Sequence, residues 1–198
     1  AAGSLLDLVS GLTGTGVAQL WERARSVPPG ADGLVVLPWL GGARAPWWNG
    51  SARAGLIGLE AGHGPGELAR AALEAVAWDI TRCLAVAAEA GAAGARGFET
   101  IALAGGGARE RAWTDVLTAI CGLPARRRRS GEAASAGAAL LGWQALGMDA
   151  DLDAFDPVVE ELPVDDQAAA RYRALRPAAD AAATAVIGLR PSGDDAAD

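Results

Sequence analysis

The segment Thr100 to Trp113, Thr-Ile-Ala-Leu-Ala-Gly-Gly-Gly-Ala-Arg-Glu-Arg-Ala-Trp, constrains the fold more than any other part of the chain. Ile101 to Ala104 form a short apolar run bounded by glycine. The run is too brief for a helix and reads as a buried strand. Gly105, Gly106 and Gly107 leave the backbone bare, and a helix is expected from about Ala108. Strand, glycine turn and helix N-terminus in that order direct free N–H groups and the positive end of the helix dipole at one point, which makes a phosphate cradle. A tight β-α turn that binds nothing has the same local sequence. The flanking sequence has to decide between them.

Upstream, Ser4 to Arg25 reads as a helix with Ser4 as N-cap and Leu5, Leu8, Val9 and Leu12 on one face. The glycines at 11, 14 and 16 weaken its middle enough to split it in two. Leu34 to Leu37 is an apolar strand ended by Pro38. An irregular loop from Trp39 to Gly55 carries Arg44, Pro46, Trp47, Trp48, Asn49 and Arg53. Glu67 to Ala90 is the clearest helix, with Leu73, Val76, Ile80, Leu84 and Ala87 on one face and Gly91 as its stop. After the opening segment come a helix to Cys121, a short strand around Ala125 to Arg128, and a small-residue helix, Glu132 to Leu146, suited to close packing on a sheet. Asp149 to Asp166 turns acidic and irregular. A last helix runs from about Gln167 to Arg176 and can resume past Pro177. Strands alternate with helices, which predicts an α/β domain with helices covering the sheet. The expected organisation is a principal domain over 1–148, an acidic linker and packing helix over 149–185, and a disordered tail over 186–198.

Composition removes several chemistries. All 17 basic residues are arginine. Without lysine there is no Walker A loop, no kinase-type lysine and no Schiff base. His63 is the single histidine, so a Ser-His-Asp triad would depend on it alone and a His/Cys zinc site lacks ligands. A net charge of −7 argues against a duplex nucleic-acid partner. No run of 18 apolar residues and no signal-peptide pattern is present, and Cys83 and Cys121 suit buried free thiols in a reducing cytoplasm.

Ala54 to Glu74 carries a longer pattern. Ala54, Leu56, Gly58, Leu59, Glu67, Leu68, Ala71, Ala72, Leu73 and Glu74 fit the C-terminal signature of the FGGY family of carbohydrate kinases. Val35 to Pro46 resembles the Pro-Tyr-Leu-Ser-Gly-Glu-Arg-Thr-Pro segment of the family's xylulokinase branch, and Ala45-Pro46-Trp47-Trp48 is similar to the Ala-Pro-Tyr-Trp of its glycerol kinases. Leu103 to Pro124 looks like the family's adenosine motif, and Glu132 to Leu141 like its closing Glu-x-Ala-Ala-x-Gly-Ala-Ala helix. The resemblance covers roughly residues 17 to 176.

The resemblance implies an α/β, actin-like, ribonuclease-H-like ATPase domain with a mixed sheet flanked by helices, truncated at its N-terminal side. It implies ATP and Mg²⁺, a small-molecule sugar such as D-xylulose, and an N-terminal kinase domain that holds the phosphate loop. The general-base Asp is expected upstream of this chain, which supplies no catalytic residue and no metal ligand of its own. Gly105, Gly106, Gly107, Ala108 and Glu110 would lie against the nucleotide, and Arg44, Trp47 and Arg53 would form a loop over the cleft. No membrane or nucleic acid is implied; a homodimer is possible, although nothing in the sequence reads oligomeric state. Three departures stand out: Ala119 stands where relatives often carry Asp, and Glu110 and Asp115 put carboxylates where they often carry Asn or Ser and Gln; these two would repel a polyphosphate unless they point away.

Three other readings remain open at this point. The chain could be a kinase acting on glycerol or another polyol, or a nucleotide-binding or interaction module without catalysis. It could also be an NADP-linked reductase in which Arg126 to Arg129 hold a 2′-phosphate, although Glu110 stands where a third fingerprint glycine belongs. The default for Arg126–Arg129 is a solvated edge strand. Trp113 reads as a core anchor, Glu74 as a structural hydrogen-bonding group, and His63 as a surface loop residue.

Overall fold

The structure, a computed structural model, describes residues 2–92, 97–130, 132–149 and 151–189. The elements are α1 (Ala2–Thr13), α2 (Val17–Ser26), β1 (Val35–Leu37), β2 (Gly55–Ile57), α3 (Pro65–Glu89), β3 (Ile101–Leu103), α4 (Arg111–Cys121), β4 (Ala125–Arg128), α5 (Ala133–Ala145), α6 (Leu152–Phe155), β5 (Val158–Leu162) and α7 (Asp166–Ile187).

The fold is built around α3. Pro65 fits the first helical position because its missing N–H has no helical partner there. The Glu67 carboxylate accepts from the Gly64 N–H at 2.8 Å, which satisfies a backbone donor and fixes the start. Ala69, Ala72, Leu73 and Val76 are buried at helical spacing, and α1, α2, α4 and β1 pack around them. Truncating Leu73, which is fully buried, would cost about 2–5 kcal/mol.

The expected first helix splits at Gly14, where φ is +67°, a conformation that glycine adopts without steric penalty. Its first half begins at Ala2, so Ser4 lies inside the first turn instead of capping it. The buried stripe is Leu5, Leu6 and Val9. Leu8 and Leu12 are exposed, and with Leu56 they line an open apolar groove. Both α2 and α3 contact α1, so its buried face is set by two partners and not by spacing alone.

Two small sheets form among the described residues. β1 and β2 pair antiparallel, Val35 opposite Ile57. The other sheet is mixed, with order β3-β4-β5: β3 and β4 run parallel, while β5 is antiparallel to β4. β5 falls in the acidic stretch expected to be irregular. Its Glu160 and Glu161 sit opposite Arg127 and Arg126, so cross-strand charge pairing supplies what apolar content does not. β4 is therefore the central strand, with a neighbour on each side, and not the solvated edge that its arginines imply.

Two further expectations change. α5 buries only Ala136, because a helix that is small and apolar all round has no preferred face to press on a three-stranded sheet. α7 runs unbroken through Pro177 to Ile187. The proline is exposed, while Ala179 and Ala183 keep the opposite side packed. Val186 and Ile187 join a second core cluster with Trp39, so the start of the expected tail is helical. Residues 190–198 lie outside the described residues.

Candidate nucleotide site

The parallel pair β3 and β4, with Leu103 opposite Arg127, points both carboxyl ends at the same place. The glycine turn leaves β3 there and Arg128 to Ser130 leave β4. Outside the carboxyl ends of parallel strands is where open α/β sheets bind ligands. A crevice of about 10 Å³ lies between them, lined by Leu103, Gly105, Ala108, Arg109, Arg128 and Ser130 among others. It is too small to enclose more than a water-sized group, so any larger ligand lies across its mouth.

The turn differs in detail from the expected cradle. Gly106 to Arg109 form a 3₁₀ turn, and α4 begins only at Arg111 with Glu110 as its N-cap. Ala108 N–H donates to the Gly105 carbonyl at 3.2 Å and Glu110 N–H to that of Gly107 at 3.1 Å. Two amides that the sequence offers to an anion are thus used internally, and Ala108 is buried. Tight turns close on themselves when residues are small, and this one does.

The glycines are not equivalent. Gly105 has φ +82° and ψ 179°, a region that only glycine occupies. Gly107 lies under Trp113, whose Cδ1 would sit 3.6 Å from an added Cβ. Gly106 has an ordinary φ, and an added Cβ there would meet no protein atom within 4 Å. Neither the backbone nor the packing of the protein requires glycine at 106.

Each of Arg126 to Arg129 has a partner within the chain. Arg126 pairs with Glu161 at 3.2 Å, Arg127 with Glu160 at 2.7 Å, and Arg128 with Asp153 at 2.8 Å and with the Asp156 carbonyl. Arg129 donates to the Phe155 carbonyl at 2.8 Å. Glu160 also receives Arg111. The Arg127 hydrogen bond, with Arg111 adding to it, holds the Glu160 carboxyl below the usual carboxylate range. Guanidinium groups committed in this way offer little to a 2′-phosphate or a nucleic acid. Asp115 is exposed on α4, faces Arg111 at 4.0 Å and does not line the crevice. Glu110 remains beside the turn. Trp113 is buried in the main core.

The tryptophan loop stands apart. Trp39 and Trp47 stack edge to face at 5.9 Å, and their indole N–H groups donate to the two oxygens of Asp79 at 3.2 and 3.3 Å. Arg82 pairs with Asp79 at 2.9 Å and with Asp180 at 2.8 Å, and lies 5.6 Å from the Trp47 ring centre. Asn49 ties the loop to α7 through the Ile187 carbonyl at 2.7 Å. Arg53 donates to the Gly50 and Ala52 carbonyls. That leaves Arg44 and Trp48 at the exposed tip. Among the described residues no hydrogen bond, ion pair or ring contact joins this loop to the glycine turn. Asp79 is a residue that sequence reasoning passed over: on α3 it reads as one more polar position, and its role depends on two side chains 40 and 32 positions upstream.

Glu74 is structural, as read. Its Oε1 accepts from Gly30 N–H at 2.9 Å, Arg70 Nε at 2.9 Å and the Tyr172 hydroxyl at 2.6 Å. Burial pushes its carboxyl upward, opposed by those hydrogen bonds. The same burial, with the Glu74 charge, pushes the Tyr172 phenol well up, so the phenol stays protonated and donates. His63, half-buried, accepts from Glu60 N–H at 2.9 Å and fixes its own loop.

A profile of the C-terminal domain of the FGGY family of carbohydrate kinases matches residues 6–146. The chain belongs to the FGGY family of carbohydrate kinases. Among its relatives, gluconokinase of Bacillus subtilis is 34% identical over 166 residues, covering 80% of this chain and 31% of that protein. Xylulose kinase of Escherichia coli is 34% identical over 182 residues, covering 89% and 36%. The chain thus spans about a third of the length of these curated relatives. Among solved structures, xylulose kinase from Rhodospirillum rubrum superposes with a TM-score of 0.78 at 30% identity, covering 92% of this chain and 38% of that one. Ligand-bound xylulose kinase from Lactobacillus acidophilus reaches 0.82 at 23% identity over 95% of this chain and 39% of that one. The fold is the actin-like ATPase fold of FGGY sugar kinases.

Two general properties follow from the described residues of this FGGY chain. No helix is long and apolar enough to cross a membrane. Among the described residues no group of three or more His, Cys, Asp or Glu converges to hold a metal ion.

Proposed function

We propose that this chain forms the adenosine side of the ATP site in a kinase that phosphorylates a sugar or polyol hydroxyl, with D-xylulose as the favoured acceptor. The observation that carries the reading is Gly106: a glycine with no internal reason to be one, at the carboxyl ends of two parallel strands, in a chain of this family. Gly105 and Gly106 let the nucleoside approach backbone, Gly107 and Ala108 shape the floor over Trp113, and Glu110 borders the rim. Its carboxylate accepts hydrogen bonds, which suits a ribose hydroxyl or an adenine amino group better than a phosphate.

In this reading the γ-phosphoryl group of Mg·ATP passes in line to a hydroxyl of the acceptor. The oxygen–phosphorus bond to the acceptor forms as the β–γ bridge breaks, ADP leaves, and an aspartate outside these residues takes the hydroxyl proton. The residues described here supply binding and orientation and transfer nothing alone. Arg44 and Trp48 at the loop tip are the side chains free to meet a sugar or the facing domain, while Trp47 and Arg53 hold the loop in place. The cell compartment in this reading is the cytoplasm.

A coupled assay of ADP formation on the complete protein, across ketoses, gluconate and polyols, tests the proposal. Sugar-dependent turnover with D-xylulose is the expected result; turnover with none of them sinks the enzyme reading and leaves a binding module. Gluconate or glycerol is the second acceptor class, because relatives named gluconokinase and glycerol kinase match at 34% and 35% identity.

A further inference from the structure

We propose that Arg109 is the anion-contacting residue of this site and makes it select a nucleoside with a phosphate tail over the bare nucleoside. The inference rests on the nucleotide reading above. Eight residues line the crevice at the carboxyl ends of β3 and β4, and three of them are arginines: Arg109, Arg127 and Arg128. Arg127 is taken by Glu160 through two hydrogen bonds at 2.7 and 2.9 Å. Arg128 is taken by Asp153 and the Asp156 carbonyl. Arg109 is exposed and makes no side-chain hydrogen bond or ion pair among the described residues. Its neighbour Arg111 is committed to Glu160. The crevice therefore presents one guanidinium with five unused donors, beside a glycine turn whose own amides at Ala108 and Glu110 are already bonded internally.

The arrangement answers a difficulty that the turn creates. With two amides closed off, the turn is a weaker anion receptor than a bare strand–glycine–helix junction, and Glu110 adds a negative charge at its rim. A phosphate at the mouth needs a cation that no carboxylate of the protein already holds. Arg109 ends the 3₁₀ turn, so its backbone is fixed by the same short segment that positions Gly105 and Gly106. Its planar fork suits two phosphate oxygens at once. Glu160 and Asp153 neutralise Arg127 and Arg128, which leaves Arg109 as the guanidinium at the crevice that no carboxylate among the described residues holds.

The test is calorimetry on the complete protein and its Arg109→Gln variant with ADP, adenosine and inorganic phosphate. Arg173→Gln serves as control, an exposed arginine on α7 without a side-chain partner among the described residues. The expected result is about a tenfold loss of ADP affinity in R109Q, as for one charge-assisted contact, with adenosine affinity unchanged and R173Q like the unaltered protein. Equal losses for ADP and adenosine, or no loss for either, overturn the assignment. So does phosphate binding that R109Q abolishes while ADP is unaffected, which would make Arg109 a general anion site unconnected with the nucleotide. If the unaltered protein binds no ADP, the nucleotide reading itself fails, a result distinct from ADP binding that ignores Arg109.

Discussion

The tryptophan loop and the glycine turn were both candidate binding segments, and they are built on opposite principles. The loop from Trp39 to Ala54 is rich in large side chains, and the structure turns most of them inward. Trp39, Trp47, Asp79, Arg82 and Asp180 form one network of indole, carboxylate and guanidinium, so the loop is held by side chains on α3 and α7. The glycine turn has almost no side chains, is held by its own backbone hydrogen bonds, and leaves open space above Gly105 and Gly106. A chemistry-rich segment can be mostly scaffold, whereas a bare one can be the surface that a ligand meets. What separates them is where the hydrogen-bonding capacity is already satisfied.

The largest expected effect breaks the scaffold side of that comparison. Asp79→Ala strands two indole donors, one of them on fully buried Trp39, and unpairs Arg82 from one of its carboxylates. We expect a loss of about 3 kcal/mol by chemical denaturation, with faster amide exchange confined to the loop. ADP affinity should stay within about twofold on the ordinary scale of independent sites; a parallel fall in ADP affinity would show that the two segments are coupled.

Gly105→Ala attacks the other side. The added methyl group finds room, but φ +82° with ψ 179° is closed to alanine. The turn must then shift at a cost of about 2 kcal/mol. ADP affinity should drop more than tenfold while the tryptophan loop keeps its exchange rates, and unchanged ADP affinity would remove the turn from the site.

A smaller effect concerns the sheet beneath the turn. Glu160 has its carboxyl lowered by Arg127 and Arg111. Its contribution is thus present above the ordinary carboxylate value and is lost as pH falls through the lowered one. Glu160→Gln should be the less stable protein near neutrality, with the gap closing as the solution is acidified below pH 4.5. A gap that widens on acidification would contradict the pairing.

The smallest effect on stability, within about 0.5 kcal/mol, is expected for Trp48→Ala, since Trp48 is 75% exposed at the loop tip. If the tip faces the acceptor, the KM for the sugar should rise severalfold in the complete protein while ADP affinity is unaffected. A KM that does not move would restrict the loop to a scaffold role.

Much was legible without coordinates. The signature from Ala54 to Glu74, the glycine turn, the long helix and the structural roles of Trp113 and Glu74 all depend on short-range patterns: periodicity, stops and bare backbone. β5 was not legible, because Val158 to Leu162 has acids where a strand reader wants apolar residues, and it pairs through arginines more than thirty positions away. The buried face of α1 differs from the one that spacing selects for a related reason, since its contacts with both α2 and α3 set it.

The amino-acid sequence by itself determined the family, the principal helices and the position of a turn that only small residues can make. These follow from local sterics and from patterns that survive without knowledge of partners. Only the tertiary structure decided which charged groups remain available. Seventeen arginines look alike in a sequence, and ion pairing depends on distances between segments that are remote along the chain. Those distances leave Arg109 open at the crevice while Arg127 and Arg128 are closed by β5 and α6.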